Sequence, residues 1–214
     1  MLLKTGDKVI NALYIPSARA SRHGAIIIVP NDSDIKMQDI TSSLHYPLHQ
    51  DGWDLLVFPL PDNQTSTGRI KSAFDFLAEK KHQTVLLLGY GSGAQFILNV
   101  INKEKLPLLK GAIFISFMPQ QLPLSKTQIQ ALTTFSYPSA FITAQHDYPK
   151  VLELIPTMRL IQRDNSLLQV WQLAGTDYRY QHFENILAQR LKNWLRAVKQ
   201  FDVVNQKKIE MMKK

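Results

Sequence analysis

Residues 84–101 read TVLLLGYGSGAQFILNVI. An uncharged, strongly apolar run leads into a turn in which glycine alternates with other residues. Apolar side chains then recur at helical spacing. The stretch predicts a buried strand, a tight turn over Gly89-Tyr90-Gly91-Ser92-Gly93, and a helix. A strand-turn-helix of this kind presents a nucleophile or cradles a phosphate.

The same strand signature recurs on both sides of that turn. GAIIIVP (24–30), WDLLVFPLP (53–61), GAIFISF (111–117), SAFITAQHD (139–147) and LLQVWQLAG (167–175) are continuous apolar runs of the kind that parallel strands show when buried on both faces. Helical spacing connects them. Residues 37–52 predict a helix that Pro47 shortens or kinks. Residues 67–81 place Ile70, Phe74 and Leu77 on one face, and 92–105 do the same with Phe96, Val100 and Ile101. Residues 150–164 predict a helix bent or broken at Pro156. The longest helix is expected over 180–201, with Phe183, Leu187, Leu191, Trp194 and Leu195 on its inner stripe. Residues 118–138 are the least regular part, and KVINALYIPS (8–17) predicts an antiparallel edge strand. Alternating strands and helices imply an α/β fold, with a mostly parallel central sheet and helices on both faces. One domain is expected over 1–202, followed by a basic tail or helix extension over 203–214.

A chain of 214 residues with 45% hydrophobic content fills one such core. Cysteine is absent, which removes disulfides, thiolate chemistry and cysteine-type zinc sites. No apolar run reaches the roughly 20 residues of a membrane span. The opening MLLKTGDKVINAL lacks the pattern of an export signal, so the chain as written reads as cytoplasmic, or as periplasmic if its N-terminus was trimmed. The net charge of +8 is concentrated at the end, where residues 187–214 carry eight Lys or Arg against Asp202 and Glu210. A basic helix can touch nucleic acid or an anionic membrane. No aromatic residues interleave with the distal lysines to stack on bases, so a solvated face is expected and no nucleic acid.

In an open sheet of this kind, ligands sit beyond the carboxyl ends of the strands. The places to search are therefore 31–34, 61–63, 90–93, 117–119, 146–148 and 175–178. The blocks HGAIIIVPNDSD, LHQDGWDLLVFPLPD, LLLGYGSGA and LKNWL occur in this order. With them the chain resembles the α/β-hydrolase superfamily over nearly its whole length, and in detail a bacterial group within it, the DUF3530 family. Members of that group usually carry an export signal.

The resemblance implies a nucleophile at the centre of G-x-S-x-G, on a strained turn with no room for a Cβ two residues to either side. Aligning the outer glycines with Gly89 and Gly93 puts Gly91 in the nucleophile's seat. Using Ser92 instead would put Tyr90 and Ala94 where small residues belong. Otherwise Ser92 reads as a helix cap. The resemblance also implies an acid at Asp147 and a histidine in the loop after the last strand. The best-matching position there holds Asp177, with His182 and His146 as alternatives. A carboxylate with an ordinary pKa near ~4 cannot relay a proton at neutral pH as imidazole does. Where lipases carry an oxyanion loop this chain has PNDSD (30–34); Asp32 and Asp34 would oppose developing negative charge, and Asn31, Asp32 and Ser33 read more simply as a cap or Asx turn.

Other uses of the turn fit less well. A dinucleotide fingerprint would need an acid after the next strand, and a P-loop would need G-K-[ST]; neither is present. Asp32, Asp34, His146, Asp147 and Asp177 could hold a divalent cation, but they lack a ligand spacing, and no metal or cofactor is expected. The expected role is that of a degenerate hydrolase acting as a binding or scaffolding module. Its partner would be another protein or a small acidic ligand contacted by Asn31, Asp32, Tyr90, Ser92, Asp147 and Asp177. The alternatives are an active esterase or peptidase using Ser92 with His146 or His182, and a nucleic-acid or membrane contact through the tail.

Overall fold

A computed structural model describes the backbone of residues 2–5, 8–30, 38–57 and 68–212, and the side chains of 12–30, 43–57 and 68–201. The strands are β1 (Leu2–Thr5), β2 (Lys8–Asn11), β3 (Leu13–Ile15), β4 (Gly24–Val29), β5 (Trp53–Val57), β6 (Val85–Tyr90), β7 (Leu109–Ile115), β8 (Ser139–His146) and β9 (Leu168–Asp177). The helices are α1 (Gln38–Gln50), α2 (Gly68–Glu79), α3 (Ser92–Lys103), α4 (Lys126–Thr133), α5 (Pro149–Leu152), α6 (Ile155–Asp164) and α7 (Glu184–Met212).

β1 and β2 form a separate antiparallel pair. The other strands form one sheet in the order β3-β5-β4-β6-β7-β8-β9, parallel except for β3 at one edge. The edge strand expected within 8–17 is this β3. Side-chain alternation in β4 shows why its run is apolar throughout. Ile27 and Val29 join the core built with α2 and α3, through Phe74, Leu77, Phe96 and Ile97. Ile26 and Ile28 join the opposite core, built with α1 and α7 through Leu48, Leu187 and Leu191. The sheet is thus covered on both faces. Each such side chain contributes about 1.5–3 kcal/mol by leaving water.

Three expectations change in detail, and the break expected near Pro156 is found. The helix limited by Pro47 is continuous over 13 residues, α1. Leu44 and Leu48, one turn apart and buried in the α7-side core, hold it in spite of the lost hydrogen bond. The helix expected over 150–164 breaks before Pro156, which sits in the first turn of α6 where a missing N–H costs nothing. The irregular 118–138 contains α4, started by a reciprocal capping box between Ser125 and Gln128. The last helix begins at Glu184 rather than 180, because Tyr180 and His182 take positive φ, and it runs on through Met212. No helix of the described residues is long and apolar enough to cross a membrane.

Candidate functional site

The carboxyl ends of β6, β7 and β8 bring one cluster together. β6 enters α3 through Gly91, whose φ of 54° and ψ of −119° lie where L side chains are strained. A Cβ on Gly89 would stand 2.6 Å from the backbone of Ala94, and one on Gly93 would stand 2.2 Å from the Val29 carbonyl oxygen. Both are backbone collisions. The two positions that must be glycine are therefore those two residues either side of Gly91. The turn is centred on Gly91, and Ser92 is the first residue of α3, with Gly91 rather than Ser92 in the cap position. The Gly91 amide donates to the Ile115 carbonyl at 2.9 Å and its carbonyl accepts from the Met118 amide at 3.2 Å, which ties the turn to the end of β7. Ser92 is half-buried.

Asp147 follows β8 and is 6% exposed. Its Oδ2 accepts from the Ser116 hydroxyl at 2.6 Å and the Ala144 amide at 3.0 Å, and its Oδ1 from the Tyr148 amide at 2.9 Å. The Ser116 hydroxyl proton is spent on Asp147, so the Tyr180 hydroxyl, 2.8 Å from Ser116 Oγ, is the donor there. The chain of donation runs Tyr180 to Ser116 to Asp147. Burial holds the Asp147 carboxyl above its ordinary pKa, against the opposing pull of these hydrogen bonds. Burial, and then the Asp147 charge, push the Tyr180 phenol well above its ordinary value. Ser116 adopts a φ of 43°, and its amide donates to the Ile142 carbonyl at 2.8 Å.

Tyr180 comes from the loop after β9, the loop from which the resemblance implies a histidine. Its fully buried ring meets the Tyr90 ring edge-on at 6.4 Å between centroids. The Tyr90 hydroxyl donates to the Tyr178 carbonyl at 2.5 Å. Tyr178 in turn lies against Tyr148, with centroids 4.5 Å apart, and beneath the Arg179 guanidinium. Four tyrosines thus gather at the carboxyl ends of β6 and β8.

The other candidates are placed as follows. Asp177 ends β9 and organises the turn: Oδ1 accepts from the Arg179 amide at 2.9 Å and its carbonyl from the Tyr180 amide at 3.0 Å. His146 pairs with Asp177 in the β8–β9 register but is exposed, and His182 is also exposed. Among the described residues no imidazole reaches the Asp147 carboxylate, whose side-chain partners are hydroxyls. No three His, Asp or Glu of the described residues gather as a metal-ligand set. Asn31, Asp32, Ser33 and Asp34, and the stretch 61–63, lie outside the described residues.

Sequence reasoning missed Ser116 and Tyr180. Ser116 sits one residue before the searched window at 117–119. Tyr180 sits two beyond the window at 175–178, in a stretch expected to be helical.

The likeness to solved structures fixes the fold by name. The chain superposes on the esterase domain of a Rhodothermus marinus protein with a TM-score of 0.75 at 13% identity, covering 92% of this chain and 97% of that one. It superposes on dienelactone hydrolase from Anabaena variabilis with a TM-score of 0.73 at 12% identity, covering 92% and 95%. With Est1E from Butyrivibrio proteoclasticus the TM-score is 0.71 at 13% identity, covering 95% and 97%. This is the α/β-hydrolase fold. No protein-family model matches the chain, and no curated protein matches it by sequence.

Proposed function

We propose that this chain is a catalytically degenerate α/β-hydrolase-fold protein, of the DUF3530-like group, that works as a binding or scaffolding module. The observation that carries the reading is Gly91. It sits at positive φ between the two positions that cannot bear a Cβ, so the seat of the nucleophile has no side chain to attack with. Two further features support it. The acid position, Asp147, is engaged by Ser116 and backbone amides rather than by an imidazole. The loop that would bring a histidine brings Tyr180, whose phenol is pushed away from neutral titration.

The proposed ligand is a small acidic molecule or a protein surface meeting the start of α3. There backbone amides favour negative charge. The residues proposed to contact it are Asn31, Asp32, Tyr90, Ser92, Asp147 and Asp177. A fluorophosphonate probe with mass mapping tests the reading. No serine is labelled in the parent chain, and simple esters are not turned over. The double variant Gly91→Ser, Tyr180→His gains probe labelling at position 91. Labelling of Ser92 in the parent, lost in Ser92→Ala, would overturn the proposal in favour of an active hydrolase.

A further inference from the structure

The opposite end of the sheet holds a second constellation. The amino ends of β4 and β6, and the turn after α2, line a cleft of about 250 Å³ bordered by Arg22, His23, Lys80, Lys81 and His82. Lys199, on α7, reaches its rim and donates from Nζ to His23 Nδ1 at 3.0 Å. A lysine that spends a hydrogen bond on a neutral imidazole lacks a better acceptor there.

The acids at this end are buried and already engaged. Asp54 accepts from the Tyr14 hydroxyl, from the Ser17 amide at 2.8 Å and from His82 Nε2 at 3.0 Å, with Arg22 Nη1 at 3.6 Å. Asp51 lies 3.8 Å from Arg196. Among the described residues no carboxylate is within ion-pair distance of Lys80, Lys81 or Lys199. Burial is the largest cause of a lowered pKa at both histidines, with nearby cations adding to it. Burial lowers the pKa of His23, and Lys199, Arg19 and Arg196 lower it further, against Asp51. Burial lowers His82 and Arg22 adds to it, against Asp54. A concave site with one sign of charge and low-dielectric walls concentrates counter-ions of the other sign.

We propose that this cleft binds a compact phosphate-bearing ligand, inorganic phosphate or a phosphate monoester, with its oxygens taken by Lys80, Lys81 and Arg22 and with Lys199 closing the rim. Its size suits one phosphoryl group. Arg22 supplies a planar fork paired with Asp54 at 3.6 Å, and the lysines supply point charges, Lys80 from a position 5.6 Å from the Phe76 ring centroid. The site is separate from the Gly91 end and stands whether or not that end is catalytic.

Titration calorimetry of the full chain with inorganic phosphate, at constant ionic strength maintained with chloride, tests it. Binding is saturable, with Kd on the order of 1 mM or tighter. Lys80→Gln with Lys81→Gln weakens it at least tenfold. A charge-matched control, Lys103→Gln with Lys105→Gln, leaves it unchanged. Thermal unfolding without phosphate verifies that both variants fold, and added phosphate raises the melting temperature of the parent and the control but not of the cleft variant. Vesicles of phosphatidylcholine with and without phosphatidic acid identify the source. Lysine-dependent binding to the phosphatidic acid vesicles alone assigns the phosphoryl group to a lipid, and binding of free phosphate assigns it to a soluble ligand. No saturable binding to either, or equal weakening by the control variant, overturns the proposal.

Discussion

Two aspartates are buried at opposite ends of one sheet, and they are settled differently. Asp147, at the carboxyl ends of the strands, is surrounded by neutral donors: Ser116 and two backbone amides, with Tyr180 behind. Asp54, at the amino end beside β4, faces Arg22 and His82 as well as Tyr14 and Ser17. Neutral donors stabilise a carboxylate only through local dipoles, and at Asp147 desolvation exceeds them. At the Asp54 end a guanidinium supplies a full opposite charge 3.6 Å away, and further cations surround it. One end of the molecule therefore has a buried carboxyl held by neutral donors where a hydrolase would keep its chemistry. The other has an open, charged cleft.

Substitutions sharpen this contrast. Asp54→Ala has the largest expected effect. It leaves the Tyr14 hydroxyl, the Ser17 amide and the buried His82 without their shared acceptor, and at roughly 1–3 kcal/mol for each buried donor costs about 3–5 kcal/mol in urea unfolding. Asp147→Ala leaves two buried hydroxyls without their terminal acceptor and costs about 2–3 kcal/mol by the same measurement. Equal losses at the two sites would remove the distinction between a charged and a neutral settlement.

The pH dependence runs in opposite directions at the two ends. The folded pKa of Asp147 is raised, so the folded state holds that proton more tightly than the unfolded chain does; its contribution is present at low pH and lost as pH rises above the unfolded value near 3.8. The folded pKa of His82 is lowered, so its contribution is present above 6.5 and lost as pH falls below that value. Melting temperatures between pH 7 and 5 therefore decline with acid. His82→Gln flattens that decline without abolishing it, since His23 and His45 are lowered too. Asp147→Asn flattens the opposite slope, just above pH 4. The smallest change is Asp177→Ala, which removes one turn hydrogen bond to the Arg179 amide and costs about 0.5–1 kcal/mol.

Much of the frame was readable before the structure. The central strands announce themselves because a strand buried on both faces cannot alternate, and GAIIIV and VLLLGY do not. The register of the turn was readable too, because only glycine fits at positions 89 and 93. Helix α4 was not read, because its capping pair, Ser125 and Gln128, lies in a stretch with no clear apolar period. The two polar networks were not readable. Ser116 and Tyr180 are 64 residues apart, and Asp54 and His82 are 28 apart. A hydrogen bond across such separations has no periodicity in the sequence; it exists only once the sheet order brings the strand ends together. The positive φ of Tyr180, which turns the chain so that its ring can insert, has no sequence marker, because aromatic residues seldom take that conformation.

The glycine at 91 has a consequence for the stability of the whole fold. A serine held at that backbone geometry would store on the order of 1–3 kcal/mol of strain, which an enzyme tolerates because the tension aims its hydroxyl. Glycine occupies the same geometry without a Cβ to object, so the spring is present in shape but unwound. On the function proposed above, that corner escapes the usual antagonism between firmness and reactivity, and placing a hydroxyl there would load it.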